Sequence, residues 1–382
     1  MNYQEDMKVI IVINTLGSGG AERSMLEFAK FLHKEDSVSV KFVCLEHKKI
    51  GVEEEVKAFG IPVIFFEESG GYLAKTRFLV KILKREKPDI VHSLLTESNI
   101  VARLSRKLHP KGKLVQSLVN TAYSEERKKD GKLSWQKFQL AKQLDMWTAR
   151  LTPDIFYHSI TKEVLQHYVP LFNIKDNHKV VYRGRYENPY LEMEGHKETN
   201  AVFTLINSGR QEFAKGQITI MKALVHLRKK YGLSHIKLEI LGRPGSYSTV
   251  LNQYIAENGL ESQVTIHGFV TDVQKRLVRA DAFIFPSYYE GLGGALLEAF
   301  AARLPCICSD LPVLKEVVGS NEGALFSPPG DHEALAENIK LLMENEPLRS
   351  KLADHAYNRF QDNFRMEKIN AEMLHMYNEI LD

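Results

Sequence analysis

Short apolar runs alternate with longer amphipathic stretches along most of this 382-residue chain. The first run, Lys8 to Ile13, predicts a buried strand, and a glycine-rich turn and a helical pattern from Ala21 to His33 follow it. Further strands are predicted at Val38 to Cys44, Val63 to Phe65, Ile90 to His92 and Leu114 to Leu118. Strands that alternate with helices over short connections are typical of a parallel sheet covered by helices on both faces.

The same alternation starts again in the second half of the chain. Its predicted strands are Val202 to Ile206, Lys237 to Leu241, Val264 to His267, Ala282 to Phe285 and Cys306 to Ser309. Residues 183–200 lie between the halves, are polar and lack apolar periodicity, which predicts a linker. From about Asp331 the pattern is helical, with breaks near Pro347 and Asp362.

This repetition predicts an α/β protein with two doubly wound Rossmann-like domains facing a central cleft. We expect an N-terminal domain over residues 1–182, a linker over 183–200, a C-terminal domain over 201–364 and a final helix over 365–382. In a doubly wound sheet the ligand lies outside the carboxyl ends of the strands. The functional residues are therefore expected in the loops that follow the strands.

The most informative loop lies within Pro286 to Pro305, after a predicted strand. Its glycines, Gly291, Gly293 and Gly294, let the backbone approach a diphosphate, and the helix expected to begin near Gly294 offers unpaired N–H groups. Glu298, about one turn into that helix, could accept hydrogen bonds from a ribose diol. Glu290, before the turn, could orient sugar hydroxyls. The alternative is a pair of surface glutamates that flank a packing turn.

A second segment, Asn207 to Ala223, places Arg210 and Lys215 in the loop between a strand and a helix. Two cations at the carboxyl end of a strand suit a diphosphate leaving group, because negative charge develops there during transfer. Two solvated basic residues are the alternative interpretation.

A third segment, Gly17 to Glu22, follows the first strand and resembles a phosphate-binding turn. It does not match the dinucleotide fingerprint, and no suitably spaced acidic residue completes such a site. A tight turn between strand and helix explains it equally well.

Together and in this order, the three segments resemble the family 4 glycosyltransferases of the B-type fold. The spacing of seven residues between Glu290 and Glu298 carries much of the resemblance. Supporting strings are GGAER from Gly19, LGRPG from Leu241, VTIHGFV from Val264, ADAFIFPS from Ala280 and FSPPGD from Phe326. The resemblance implies retention of anomeric configuration, a nucleotide-diphosphate-sugar donor and no essential metal or cofactor. UDP is the expected nucleotide, with GDP as the alternative.

The resemblance also implies roles for individual residues. Arg210 and Lys215 would bind the donor diphosphate, and Glu298 would bind the ribose. Arg210, Lys215 and Glu290 would act in catalysis. The residues implied to contact the donor sugar and phosphates are Glu290, Gly291, Leu292, Gly293 and Gly294. Gly19 and Gly20 would approach the reacting centre from the opposite domain, and the final helix would return to the N-terminal domain.

The chain departs from the family pattern on the acceptor side. Asn120 stands where many members have a histidine near the transferred sugar, and Arg183-Gly184 replaces a frequent Asn-Gly before the linker. His92, at the end of a predicted strand, is the other candidate for contact with the acceptor, with a structural role as its alternative.

Charge is distributed unevenly around a net value of +3. Residues 71–150 contain 18 Lys and Arg against 7 Asp and Glu. Tyr123, Trp135, Phe138 and Trp147 lie among or after these charges, whose best-clustered members are Arg103, Arg106, Lys107, Lys111, Lys113, Arg127, Lys128, Lys129 and Lys132. This mixture suits an anionic membrane surface that presents a lipid-linked acceptor. Solvated helix faces are the alternative, and no recognised nucleic-acid motif is present.

The cysteines and the lengths of the apolar runs indicate where the protein is located. Cys44, Cys306 and Cys308 have neither a disulfide framework nor zinc-ligand spacing and indicate a reducing compartment. No apolar run approaches the roughly 18–20 residues of a membrane span. We therefore expect a cytoplasmic protein, either soluble or peripheral on the inner face of the membrane. A nucleotide-sugar epimerase and a non-catalytic, nucleotide-sugar-binding partner subunit are the alternatives to a glycosyltransferase that builds cell-surface polysaccharide.

Overall fold

The computed structural model describes residues 7–17, 19–47, 51–128, 134–192 and 202–382. The chain forms two compact units. Unit 1 comprises Met1–Tyr123, Lys132–Arg183 and Glu367–Asp382, and unit 2 comprises Ser124–Gly131 and Gly184–Met366. Part of the expected linker, residues 193–200, lies outside the described residues.

Unit 1 is built on seven strands: β1 (Met7–Ile13), β2 (Val38–Cys44), β3 (Val63–Phe65), β4 (Ile90–Leu94), β5 (Lys113–Leu118), β6 (Ile155–Ser159) and β7 (His178–Val180). The helices between them are α1 (Gly20–His33), α2 (Glu53–Ala58), α3 (Tyr72–Glu86), α4 (Thr96–Leu108), α5 (Glu125–Lys128), α6 (Trp135–Leu151) and α7 (Lys162–Phe172). The short helix α5 groups with unit 2, although the sequence predicts an N-terminal domain that is continuous to residue 182.

Unit 2 contains six strands: β8 (Phe203–Ser208), β9 (Ile236–Leu241), β10 (Val264–Gly268), β11 (Ala282–Phe285), β12 (Cys306–Ser309) and β13 (Leu325–Ser327). Its helices are α8 (Gln217–Tyr231), α9 (Ser248–Asn258), α10 (Val273–Leu277), α11 (Gly294–Ala301), α12 (Pro312–Val318), α13 (His332–Glu344) and α14 (Glu346–Asn363). A last helix, α15 (Met366–Leu381), follows a break after α14.

Both sheets are parallel, and the first six strands of unit 1 have the same relative order as the six strands of unit 2. The order is β3-β2-β1-β4-β5-β6-β7 in unit 1 and β10-β9-β8-β11-β12-β13 in unit 2. The strand order reverses next to the first strand of each unit, which creates a switch point between β1 and β4 and another between β8 and β11. The predicted pair of doubly wound Rossmann-like domains is confirmed.

Each sheet has its own apolar core. In unit 1 the core joins the buried faces of β1, β2 and α1 to residues of the last helix, including Ile369, Met373 and Met376. In unit 2 the core joins β8, β9 and α8 to α13, through residues such as Leu205, Leu224 and Ile339. The three cysteines are free and buried in these interiors.

A chain of buried hydrogen bonds links α15 to the centre of the first sheet. Tyr377 Oη lies 2.6 Å from His92 Nδ1, and His92 Nε2 lies 2.7 Å from Ser117 Oγ. Ser117 Oγ is 2.8 Å from His158 Nδ1, and His158 Nε2 is 2.9 Å from the Val181 carbonyl oxygen. The bonds connect β4, β5 and β6 to a helix that is distant in sequence.

The Val181 carbonyl, at the end of this series of hydrogen bonds, determines which atom donates in each of them. The Val181 carbonyl can only accept, so His158 donates from Nε2 and accepts from the Ser117 hydroxyl at Nδ1. Ser117 then accepts from His92 Nε2–H, and His92 Nδ1 accepts from the Tyr377 hydroxyl. Burial lowers the pKa of His92 well below its ordinary value and lowers the pKa of His158 to about 4. Both rings are therefore neutral at physiological pH, as this arrangement requires.

Replacing Tyr377 with Phe should destabilise unit 1. The change removes the hydroxyl that donates to a buried ring nitrogen, so we expect the free energy of unfolding to fall by about 1–3 kcal/mol. Both tryptophans of the chain lie on α6, so urea titration followed by tryptophan fluorescence reports this unit. Tyr72→Phe, at an exposed position at the start of α3, is the matched control and should stay within about 0.5 kcal/mol of wild type. Equal stabilities for the two variants would contradict the assigned network.

Candidate functional site

The switch point of unit 2 brings two loops together that are far apart in sequence. One follows β8 and contains Gly209, Arg210 and a 3₁₀ turn from Phe213 to Lys215. The other follows β11 and leads into α11. Because β8 and β11 pair in parallel, both loops leave the same edge of the sheet. This is the edge where a ligand of a doubly wound sheet is expected.

The two loops are packed backbone against backbone. Gly216, the N-cap of α8, has φ +61°, and a Cβ added there would overlap the carbonyl oxygen of Pro286. The Tyr288 N–H also donates to the Ala214 carbonyl at 2.9 Å. The rings of Phe213 and Tyr288 stack, with centroids 4.6 Å apart. The relative position of the loops is thus set by main-chain contact and a ring stack.

Lys215 and Glu290 form one ion pair between the loops. Lys215 Nζ lies 2.6 Å from Glu290 Oε1, and the buried Ser287 hydroxyl donates to the same oxygen at 2.8 Å. The stem of Lys215 lies over Gly209, where a Cβ would come within 3.3 Å of it. Two residues singled out separately from the sequence are therefore in direct contact, and each holds the other in place.

Arg210 lies at the exposed tip of the first loop. Its backbone is held by two hydrogen bonds. The Arg210 carbonyl accepts from the Glu212 N–H at 2.7 Å, and the N–H of the next residue, Gln211, donates to the Arg243 carbonyl at 3.1 Å. Within the residues that the structure describes, its guanidinium makes no hydrogen bond or ion pair. It is available to an anion at this edge of the sheet.

Helix α11 begins at the predicted position. Its N-cap, Gly293, has φ +90° and no side-chain cap, so no side chain covers the N–H groups of the first turn from the cap position. Leu292 is buried, which leaves its backbone as the part that could reach a donor. Glu298 lies one turn into the helix, and its Oε1 accepts from Arg185 Nε at 2.9 Å.

Arg185 is a residue of this site that the sequence did not single out. It stands in the polar segment after unit 1, without motif or periodicity to mark it. Only the fold brings Arg185 beside α11, because its partner Glu298 is 113 residues away in sequence.

The acceptor-side candidates lie in unit 1. His92 is fully buried inside β4, with both ring nitrogens occupied, so it cannot contact an acceptor and the structural alternative holds. Asn120 is half-buried just beyond the carboxyl end of β5. Gly19 is the N-cap of α1, with the Glu22 carboxylate over it, and the Arg183 guanidinium lies near Gly20. The roles of Asn120, Gly19 and Gly20 stay predictions.

One group of potential metal ligands occurs among the described residues. His226 on α8 and His332 and Glu333 on α13 bring ligand atoms within 4.8 Å of one another. None of the three belongs to the loops after β8 and β11.

Comparison with known families matches both halves of the chain. The family described as "Glycosyltransferase Family 4" matches residues 18–184. The family described as "Glycosyl transferases group 1" matches residues 192–359, which include both loops of the candidate site.

Individual relatives are similar over most of their length. A GalNAc-α-(1→4)-GalNAc-α-(1→3)-diNAcBac-PP-undecaprenol α-1,4-N-acetyl-D-galactosaminyltransferase of Campylobacter jejuni is 26% identical over 98% of this chain and 99% of its own. A UDP-Gal:α-D-GlcNAc-diphosphoundecaprenol α-1,3-galactosyltransferase of Escherichia coli is 25% identical over 76% of each chain. The crystal structure of Anabaena HepE in complex with UDP-glucose superposes with a TM-score of 0.81 at 18% identity, covering 98% of this chain and 100% of that one. This last likeness concerns the fold alone.

The close approach at Gly216 gives a test of how the loops are held. Gly216→Ala should lower the free energy of unfolding by about 2–4 kcal/mol, because left-handed strain adds to overlap with the Pro286 carbonyl. Gly232 ends the same helix with φ +68° and open space around it, so Gly232→Ala should cost only about 1 kcal/mol. Thermal unfolding followed by far-ultraviolet circular dichroism measures both. Equal losses would show that the backbone contact contributes nothing.

Proposed function

We propose that this chain, which belongs to glycosyltransferase family 4, transfers a hexose-type sugar from a nucleotide-diphosphate donor to a hydroxyl of a lipid-linked glycan, with retention of configuration. UDP is the proposed nucleotide, and cell-surface polysaccharide synthesis is the proposed process. The observation that carries the proposal is the convergence of Arg210, the Lys215–Glu290 pair and the start of α11 at one switch point. The named activities of the relatives support the donor and the acceptor class.

The donor diphosphate is proposed to bind at the start of α11. The uncapped first turn offers N–H groups and the positive end of the helix dipole. Arg210, exposed and unpaired among the described residues, and Lys215 add two positive charges from the neighbouring loop. Glu298, one turn further along, would accept hydrogen bonds from the ribose hydroxyls.

The transfer step is proposed to take place on one face of the sugar. The bond between the anomeric carbon and the diphosphate oxygen loosens, and the charge left on the diphosphate is stabilised by Arg210, Lys215 and the helix end. The acceptor hydroxyl attacks the anomeric carbon from the same face and gives its proton to the departing phosphate oxygen. No protein carboxylate forms a covalent intermediate in this scheme.

Glu290 is proposed to orient the reactants. Its carboxylate is fixed by Lys215 and Ser287, so its second oxygen has a defined direction in which to accept hydrogen bonds from sugar hydroxyls. The same contact holds the Lys215 ammonium at the edge of the sheet before the donor binds. Preorganisation of this kind lowers the reorganisation that the reaction requires.

The acceptor is proposed to reach unit 1 at an anionic membrane surface. Helix α6 exposes Leu140 and Trp147, with 72% and 59% of their surfaces accessible, at a spacing of two turns on one face. Lys107 Nζ lies 5.8 Å from the Trp147 ring, and Lys142 and Arg150 are on the same helix. Exposed large apolar side chains among basic residues suit an interface with anionic lipid. No helix in the described ranges is long and apolar enough to span a membrane.

A nucleotide screen tests the donor site. UDP, GDP, ADP and dTDP, alone and as sugar conjugates, are added without metal, and the thermal unfolding midpoint is recorded. We expect one nucleotide to raise the midpoint, because a ligand that binds only the folded state stabilises it. Arg210→Ala and Lys215→Ala should each weaken this response and reduce sugar transfer to a polyprenyl-diphosphate-linked acceptor by about 10²-fold or more.

Matched charge changes on the surface of unit 2 provide the controls. Arg303 pairs with Asp354, and Lys351 lies near Glu322, both on exposed surface. Arg303→Ala and Lys351→Ala should keep the wild-type response. Wild-type turnover by Arg210→Ala or Lys215→Ala would contradict the assignment. Donor conversion without an acceptor would favour an epimerase instead, and binding without any turnover would favour a non-catalytic partner.

Vesicle sedimentation tests the membrane surface. A Leu140→Gln/Trp147→Gln double variant should bind vesicles rich in anionic lipid about tenfold more weakly than wild type, because two of the exposed apolar side chains of α6 are lost. Val250→Gln/Leu341→Gln, which changes exposed apolar residues of unit 2, is the control and should bind as wild type does. Wild-type binding that shows no preference for anionic over neutral lipid would contradict the proposed surface.

A further inference from the structure

Arg185 is fixed in unit 2 by its backbone. Its N–H donates to the Phe364 carbonyl at 2.8 Å, and its own carbonyl accepts from the Met366 N–H at 2.9 Å. The neighbouring Gly184 is in contact with Met366, where an added Cβ would lie 2.7 Å from the Met366 Cα. The start of the side chain is therefore held by main-chain contacts on both sides.

The guanidinium of Arg185 lies directly at the start of α11. Nε donates to Glu298 Oε1 at 2.9 Å, and Nη1 donates to the Gly184 carbonyl at 2.8 Å. Nη2 occupies the space over Gly294, where an added Cβ would overlap it. Only 16% of the side chain is exposed. Gly294, the first residue of the helix, thus makes room for a cation beside the N–H groups of the first turn.

We propose that Arg185 is a third cation of the donor site and donates hydrogen bonds to the donor diphosphate. The inference rests on the proposed function and adds one residue to the proposed donor site. A guanidinium has five N–H donors, and within the described residues Arg185 uses two of them. Nη2 and its two N–H groups lie over the helix end where the diphosphate is proposed to bind. A planar guanidinium matches phosphate oxygens in a two-point contact.

The formal charges of the site favour a third cation. Counted at their formal charges, Arg210 and Lys215 are balanced by Glu290 and Glu298, so these four side chains offer no net charge to a dianionic diphosphate. Arg185 makes the sum positive. It also neutralises Glu298, whose carboxylate would otherwise repel the phosphates from a position one turn into the same helix.

A second role for the same contact is to hold Glu298 in place. In that case Arg185 would be a positioning residue for the ribose and would not touch the phosphates. The two roles differ in which part of the nucleotide depends on Arg185, and a nucleoside without phosphates separates them.

The test is calorimetric titration of the full-length protein with UDP, UMP and uridine. Arg185→Ala should weaken UDP binding by about tenfold or more while changing uridine binding by less than about threefold. Arg185→Lys, which keeps the charge and loses the two-point geometry, should recover part of the UDP affinity. Arg303→Ala removes an equal charge just beyond the opposite end of α11 and should leave all three affinities unchanged. Thermal unfolding establishes that each variant is folded. If Arg185→Ala does not fold, Arg185→Gln replaces it in the titrations.

The outcomes separate this inference from the proposed function. Equal weakening of uridine and UDP would overturn the phosphate contact and leave a positioning role. Unchanged or tighter UDP binding by Arg185→Ala would overturn the inference as well, since the guanidinium would then contribute nothing or obstruct the site. Wild-type protein that binds no nucleotide at all would overturn the proposed donor site itself.

Discussion

The parallel pairing of β8 with β11 is the constraint on which the candidate site depends. It makes two loops leave the same edge of the sheet, although Lys215 and Glu290 are 75 residues apart. The loops then approach so closely that a Cβ at position 216 would overlap the Pro286 carbonyl oxygen. This backbone contact and the hydrogen bond from the Tyr288 N–H to the Ala214 carbonyl fix the distance between the loops. The ion pair, the exposed Arg210 and the start of α11 are all positioned by these contacts.

The site combines opposite charges in a way that suits an anionic ligand with hydroxyl groups. Each glutamate of the motif is already paired, Glu290 with Lys215 and Glu298 with Arg185. Paired carboxylates have fixed directions and still accept hydrogen bonds from sugar or ribose hydroxyls. In the proposed binding mode the cations beside them meet the phosphates, and the start of α11, whose N-cap glycine has no capping side chain, adds N–H groups. A surface pair of glutamates would need none of these contacts.

Most strands and the doubly wound class could be predicted from the sequence, because buried parallel strands appear as short apolar runs. The strands β7 (HKV), β13 (LFS) and β6 (IFYHS) mix apolar with polar positions, so none of them appears as an apolar run, unlike the equally short β3 (VIF). Glu290, Lys215 and Glu298 stood out through glycines and spacing. His92 could not be assigned, because its partners Tyr377 and Ser117 are remote in sequence. Nothing in the sequence marks Arg185, because its place in the site depends on its contact with α11.

A crystal structure of the protein grown with UDP would show directly where the nucleotide binds. We expect density for the diphosphate against the first turn of α11, within hydrogen-bonding distance of Arg210 and Lys215, and for the ribose on Glu298. UDP bound instead at the glycine turn before α1, or at any place away from the loops after β8 and β11, would contradict the proposed donor site.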